Sequence, residues 1–133
     1  MAQGAALSAC TGRYDVMRLL EKEVHFSGTN NGEPLPLQIA QWTLREYQEK
    51  KICEILTAKG EELKFKLTHN DFKVKGLMSR FEVLFDTPEA KMDCVRFCFE
   101  HSILFPGFCC MAVSHTAEQM QHLVDTLKKW RGK

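Results

Sequence analysis

The stretch His25 to Leu37, HFSGTNNGEPLPL, limits the fold more than any other. It packs Gly28, Gly32, Pro34, Pro36 and the polar run Thr29-Asn30-Asn31 between a short apolar strand signal and a long helical one. Glycine frees the backbone to take positive φ and to approach a ligand closely. Pro34 suits a first helical position, where a missing N–H costs nothing. The stretch reads as a tight turn that delivers backbone N–H groups and a hydroxyl to a helix start. Such a place attracts anions, because unpaired N–H groups and the helix dipole both favour negative charge. A capped helix start after a loop is the plainer reading of the same residues.

The rest of the pattern follows from that boundary. Before it, residues 1 to 12 are mostly small and suit a strand or loop packed against something larger. Arg13 to Lys22 then reads as a short helix, with Val16, Leu19 and Leu20 on one face. Val24 to Phe26 reads as a brief strand. After the boundary, Leu37, Ala40, Gln41, Leu44 and Tyr47 recur at helical spacing, and a second stripe runs Ile52, Leu56, Leu63 and Leu67. A bend is expected near Glu49 to Lys51, where the stripes change over. Gly60 within the second stripe weakens a helix by about 1 kcal/mol relative to Ala without forbidding it.

From residue 72 the signals become β-β-α-β-α. Phe72 to Leu77 and Arg80 to Asp86 read as strands, the second with Phe81, Val83 and Phe85 on one side. Gly76 marks a bend or bulge. Thr87-Pro88-Glu89 is a strong helix start, and the helix is expected to bury Met92, Val95, Phe99 and Ile103. Phe108 to Val113 fits a buried strand. Thr116-x-x-Gln119 is a capping box ahead of the stripe Met120, Leu123, Val124 and Leu127. The expected class is α+β: a long helix plus a small antiparallel sheet covered by helices.

Composition sets the function classes aside one by one. The 18 Lys plus Arg against 17 Asp plus Glu leave no basic field for nucleic acid. No apolar run approaches membrane-spanning length, and the N-terminus has no basic region of the kind a signal peptide carries. A hydrophobic fraction of 44% with nine Phe supports a real core. The six Cys lie scattered among apolar residues, and read as reduced, mostly buried thiols of a cytoplasmic protein.

The pattern Gly28-Thr29-x-x-Gly32-x-Pro34-Leu35, opening a long helix, resembles the G-T-x-x-G-x-P-L segment of class III pyridoxal-phosphate aminotransferases, the glutamate-1-semialdehyde aminomutase-like family. Upstream, Gly4 to Arg13 with the following YDVM is similar to the family segment after the Schiff-base lysine. Downstream, Phe81 to Phe85 and Ser114-His115-Thr116 resemble its small C-terminal domain, the C-terminal small domain of fold-type I enzymes. The likeness runs through nearly the whole chain in order. Glu33 departs from the Asn usual at its place, and an acid beside a phosphate should point away.

The resemblance implies a division into an arm from the large domain, residues 1–35, and a linking helix with the small domain, residues 36–133. It implies pyridoxal 5'-phosphate as the cofactor of the intact parent, a homodimer, and an amino acid or amino-aldehyde substrate. Gly28, Thr29 and Asn30 become the cofactor-binding candidates, with the Thr29 hydroxyl on the phosphate of the other subunit. The family's lysine would lie just before Met1, so no catalytic residue falls within the chain, which is expected to be inactive alone. Lys22 and Lys50 lack the family's flanking residues.

Other constellations have bland counterparts. Cys94, Cys98 and His101 share a helical face, with Cys109, Cys110 or His115 as a possible fourth metal ligand. Core thiols are the expected reading, with metal ligands as the alternative. His115 before a helix cap suits a general base or a turn-ordering residue, and a Cys110–His115 nucleophile pair has no supporting motif. Arg80 and Arg96 suit carboxylate clamps or solvated faces. Trp42 and Trp130 read as packing residues. The function expected is thus the cofactor-phosphate loop and substrate-closing domain of an aminotransferase or aminomutase. The alternative is a stand-alone, non-catalytic α+β binding or oligomerisation module derived from one.

Overall fold

The computed structural model describes residues 2–21, 23–25, 27–28 and 31–132. The chain divides into two compact units, Met1–Lys51 and Ile52–Lys133. That division falls later than the 35/36 boundary expected from the sequence.

In the first unit, residues 2–13 form no helix or strand. Helix α1, Tyr14–Met17, runs into a 3₁₀ turn at Arg18–Glu21. The strand expected at Val24 to Phe26 does not form at Val24 and His25, and Phe26 lies outside the described residues. The Val24 N–H instead donates to the Leu19 carbonyl, closing the helical turn behind it. Helix α2, Pro34–Glu49, starts where the two prolines predict. Its buried face is Pro36, Ala40 and Thr43, whereas Leu37, Leu44 and Tyr47 are exposed. Apolar residues lie around much of this helix, so their spacing alone left its phase open. The helix breaks where the stripes change over: Lys51 takes φ +49° and separates α2 from the next helix.

The second unit is α+β. Helix α3, Ile52–His69, precedes the strands β1, Val74–Leu77, and β2, Arg80–Val83. Helix α4, Pro88–Glu100, strand β3, Phe108–Cys110, and helix α5, Ala117–Arg131, complete it. The sheet is antiparallel with β2 central, pairing Val74 with Val83 and Phe81 with Cys109. Alternation sends Phe81, Val83, Cys109 and Met111 into the core with Leu63, Leu67, Cys94, Val124 and Leu127. The opposite face, with Lys75, Arg80, Glu82, Phe108 and Cys110, is exposed.

Two glycines hold close approaches. A Cβ on Gly60 of α3 would lie 1.7 Å from the Met78 carbonyl oxygen in the β1–β2 turn. At Gly76, φ is +130° and a Cβ would lie 2.8 Å from the Phe81 Cα. Both N-terminal caps form as read: the Thr87 hydroxyl accepts from the Ala90 N–H, and Thr116 and Gln119 close a reciprocal box. The face expected for α4 is corrected. Met92 and Phe99 are 60% and 70% exposed, while Cys94, Phe97 and Cys98 are buried. Cysteine behaves as a small hydrophobe, so Cys94 and Cys98 share the covered face with Phe97. Trp130 at the end of α5 donates to the Asp93 carboxylate at 2.7 Å and packs edge-on against Phe85.

Candidate functional site

The turn before α2 is the first place to look. Gly28 is exposed, and its carbonyl accepts from the Asn31 N–H at 3.1 Å. That bond draws together the described residues on either side of 29 and 30. Thr29 and Asn30, the other two cofactor-binding candidates, lie outside the described residues. Gly32 takes φ +74°, a conformation that glycine adopts without strain. Glu33 occupies the N-cap position with no side-chain capping bond, and the first turn of α2 holds no acid.

The donors at this helix start are fewer than a generic one would give. Pro34 and Pro36 carry no N–H, and the Leu37 N–H is 3.3 Å from the Glu33 carbonyl. Glu33 and Leu35 remain to supply the orphan donors that a helix start leaves. The described residues therefore leave a few backbone N–H groups at this helix start, beside Gly32, where a Cβ would meet nothing within 4 Å. They do not form a full cradle.

The cysteines divide. Cys94, Cys98 and Cys109 are buried, whereas Cys10, Cys53 and Cys110 are exposed. "Mostly buried" thus holds for half of them, because Cys110 points to the open face of the sheet while its neighbour Cys109 points in. The hydrogen bond with Cys98, and then burial, push the Cys94 thiol up. Burial pushes Cys109 up to about 12. Such thiols stay protonated at neutral pH and are poor nucleophiles and poor ligands. Among the described residues, no three His, Cys, Asp or Glu side chains gather to hold a metal ion. His101 instead places Nδ1 2.8 Å from the Phe97 carbonyl and packs on the Phe97 ring.

His115 orders its turn. Its Nδ1 accepts from the Ala112 N–H at 3.2 Å. Lys59, which the sequence reading passed over, donates to the carbonyls of Val113 and His115, both at 2.5 Å. It ties that turn to α3, and no local pattern announces a contact so far along the chain. Arg80 and Arg96 are both exposed; the Arg80 guanidinium lies 6.0 Å from the Phe108 ring centre. Comparison with protein-family models, curated proteins and solved structures finds no match.

Proposed function

We propose that the chain is the C-terminal part of a pyridoxal-phosphate-dependent aminotransferase or aminomutase, cytoplasmic and homodimeric. The observation that carries this reading is the order of parts. A glycine turn opens directly into a long helix, and an α+β unit with one uncovered sheet face follows. The free cysteines suit a reducing compartment. No helix is long and apolar enough to cross a membrane among the described residues.

Each residue then has a limited task. Gly28 lets the backbone come close, the Thr29 hydroxyl donates to a phosphate oxygen of the partner subunit's cofactor, and Asn30 flanks it. The cofactor, when bound, supplies the electron sink for amino transfer. The small domain closes over an amino acid or amino-aldehyde and excludes water. Lys22 and Lys50 lack the family's flanking residues, so neither is assigned to the cofactor imine.

A second reading has its own support. Ile52–Lys133 has a continuous core, and no buried side-chain nitrogen or oxygen among the described residues lacks a hydrogen-bond partner. Those features suit a stand-alone binding or oligomerisation module. Sequencing the transcript upstream of the Met1 codon separates the two. An in-frame lysine directly upstream, within an open frame encoding a large domain, is the expected result. An in-frame stop with no such lysine overturns the enzyme reading and favours the module.

A further inference from the structure

A cleft of about 480 Å³ opens in the second unit between the 102–106 loop, β3 and the first turns of α5. Ligand sites typically occupy roughly 300–1,000 Å³ and combine apolar walls with a few placed polar groups. The floor here is Leu63, Phe105, Met111 and Met120, all buried. Ile103 and Leu123 form half-buried walls.

The polar groups are biased towards donors. His115 uses Nδ1 as the acceptor for the Ala112 N–H, which puts its hydrogen on Nε2. Gln119 spends its carbonyl oxygen on the Thr116 N–H, leaving its NH₂ group. His122 has Nε2 at 3.2 Å from the His101 carbonyl, so the N–H of that nitrogen is spent there. The lining holds these two histidines and no aspartate or glutamate. A bound ammonium would find no counter-charge there. A carboxylate would meet N–H donors at the edge of an apolar cavity, where charge-assisted hydrogen bonds are strong.

We infer that this cleft binds a small carboxylate with an aliphatic or aromatic body, its head towards His115 and Gln119 and its body over Met111 and Met120. The lining of this site comes wholly from the second unit, and the inference does not depend on a cofactor.

Titration of the full chain with octanoate, octanol and octylammonium, followed by amide NMR, tests the inference. Octanoate should shift the amides of Met111, His115, Gln119, Met120 and Leu123 saturably, and bind at least about tenfold more tightly than octylammonium. His122→Glu adds a carboxylate at an exposed position where folding tolerates it, and should reverse the order of the two charged probes. Leu123→Trp, which fills the cleft, should abolish octanoate shifts. Equal affinity for the three head groups overturns the inference, as do shifts scattered away from the cleft, an order unchanged by His122→Glu, or no octanoate binding at all.

Discussion

A methyl group on Gly60 would meet the Met78 carbonyl oxygen at 1.7 Å. Helix propensity favours Ala over Gly by about 1 kcal/mol. Backbone cannot yield as a flexible side chain does, and overpacking of this kind costs roughly 1–3 kcal/mol or more. The clash therefore wins, and Gly60→Ala should destabilise the chain by about 2 kcal/mol in denaturant unfolding. A gain in stability would mean that α3 and the β1–β2 turn lie further apart. The sequence marked Gly60 only as a weak point in a helix. Its partner is distant in the chain, so no local pattern could reveal why it is glycine. Cys109 offers a second test at this scale. Its thiol ionises near 9.0 ordinarily and at about 12 in the folded chain. Above pH 9 the unfolded chain loses that proton first, so stability falls as pH rises towards 12, by at most about 1.4 kcal/mol per unit. Urea unfolding of the wild type and Cys109→Ala across that range should show a shallower fall in the variant. Parallel curves would contradict the burial of this thiol.

The helix starts were legible because their signals are local. Thr87-Pro88 and Thr116-x-x-Gln119 carry their partners within one turn, and both form. The Thr116 hydroxyl accepts from the Gln119 N–H at 3.2 Å, and the Gln119 amide oxygen accepts from the Thr116 N–H at 3.0 Å. Thr116→Ala should cost about 1 kcal/mol. Adding Gln119→Ala should cost less than the sum of the single changes, since the box is one unit. Strict additivity in a double-mutant cycle would show that the two bonds act independently. Helix faces were harder to read. In α4 the large apolar residues Met92 and Phe99 drew the expected stripe, yet the core is lined by Cys94, Phe97 and Cys98. In α2 the small residues Pro36, Ala40 and Thr43 face inwards while larger ones remain exposed. Size and hydropathy rank residues, but the neighbouring surface decides which face is covered. Strand β2 was clearer, because alternation with a period of two gives the phase directly at Phe81 and Val83.

At the scale of the molecule, the α+β class followed from element order, which survives errors in the phase of single helices. The unit Ile52–Lys133 owns its core, and the sheet leaves one face open. The candidate turn was legible only as a motif. Gly28 and Gly32 are exposed and Gly32 takes a positive φ, while Pro36 removes a donor that a simple helix-start argument would count. The role proposed for the turn rests on residues 29 and 30, which lie outside the described residues, and on a proposed second subunit. The direct test is cofactor affinity in an assembled enzyme. The chain is co-expressed with the N-terminal part of a class III aminotransferase, cut after its Schiff-base lysine, and the pyridoxal 5'-phosphate retained is titrated. The account predicts that the assembly holds the cofactor and that Thr29→Val raises its dissociation constant about tenfold, the effect of losing one hydrogen bond to a charged group. An assembly that holds the cofactor equally well with Val at position 29 would contradict it.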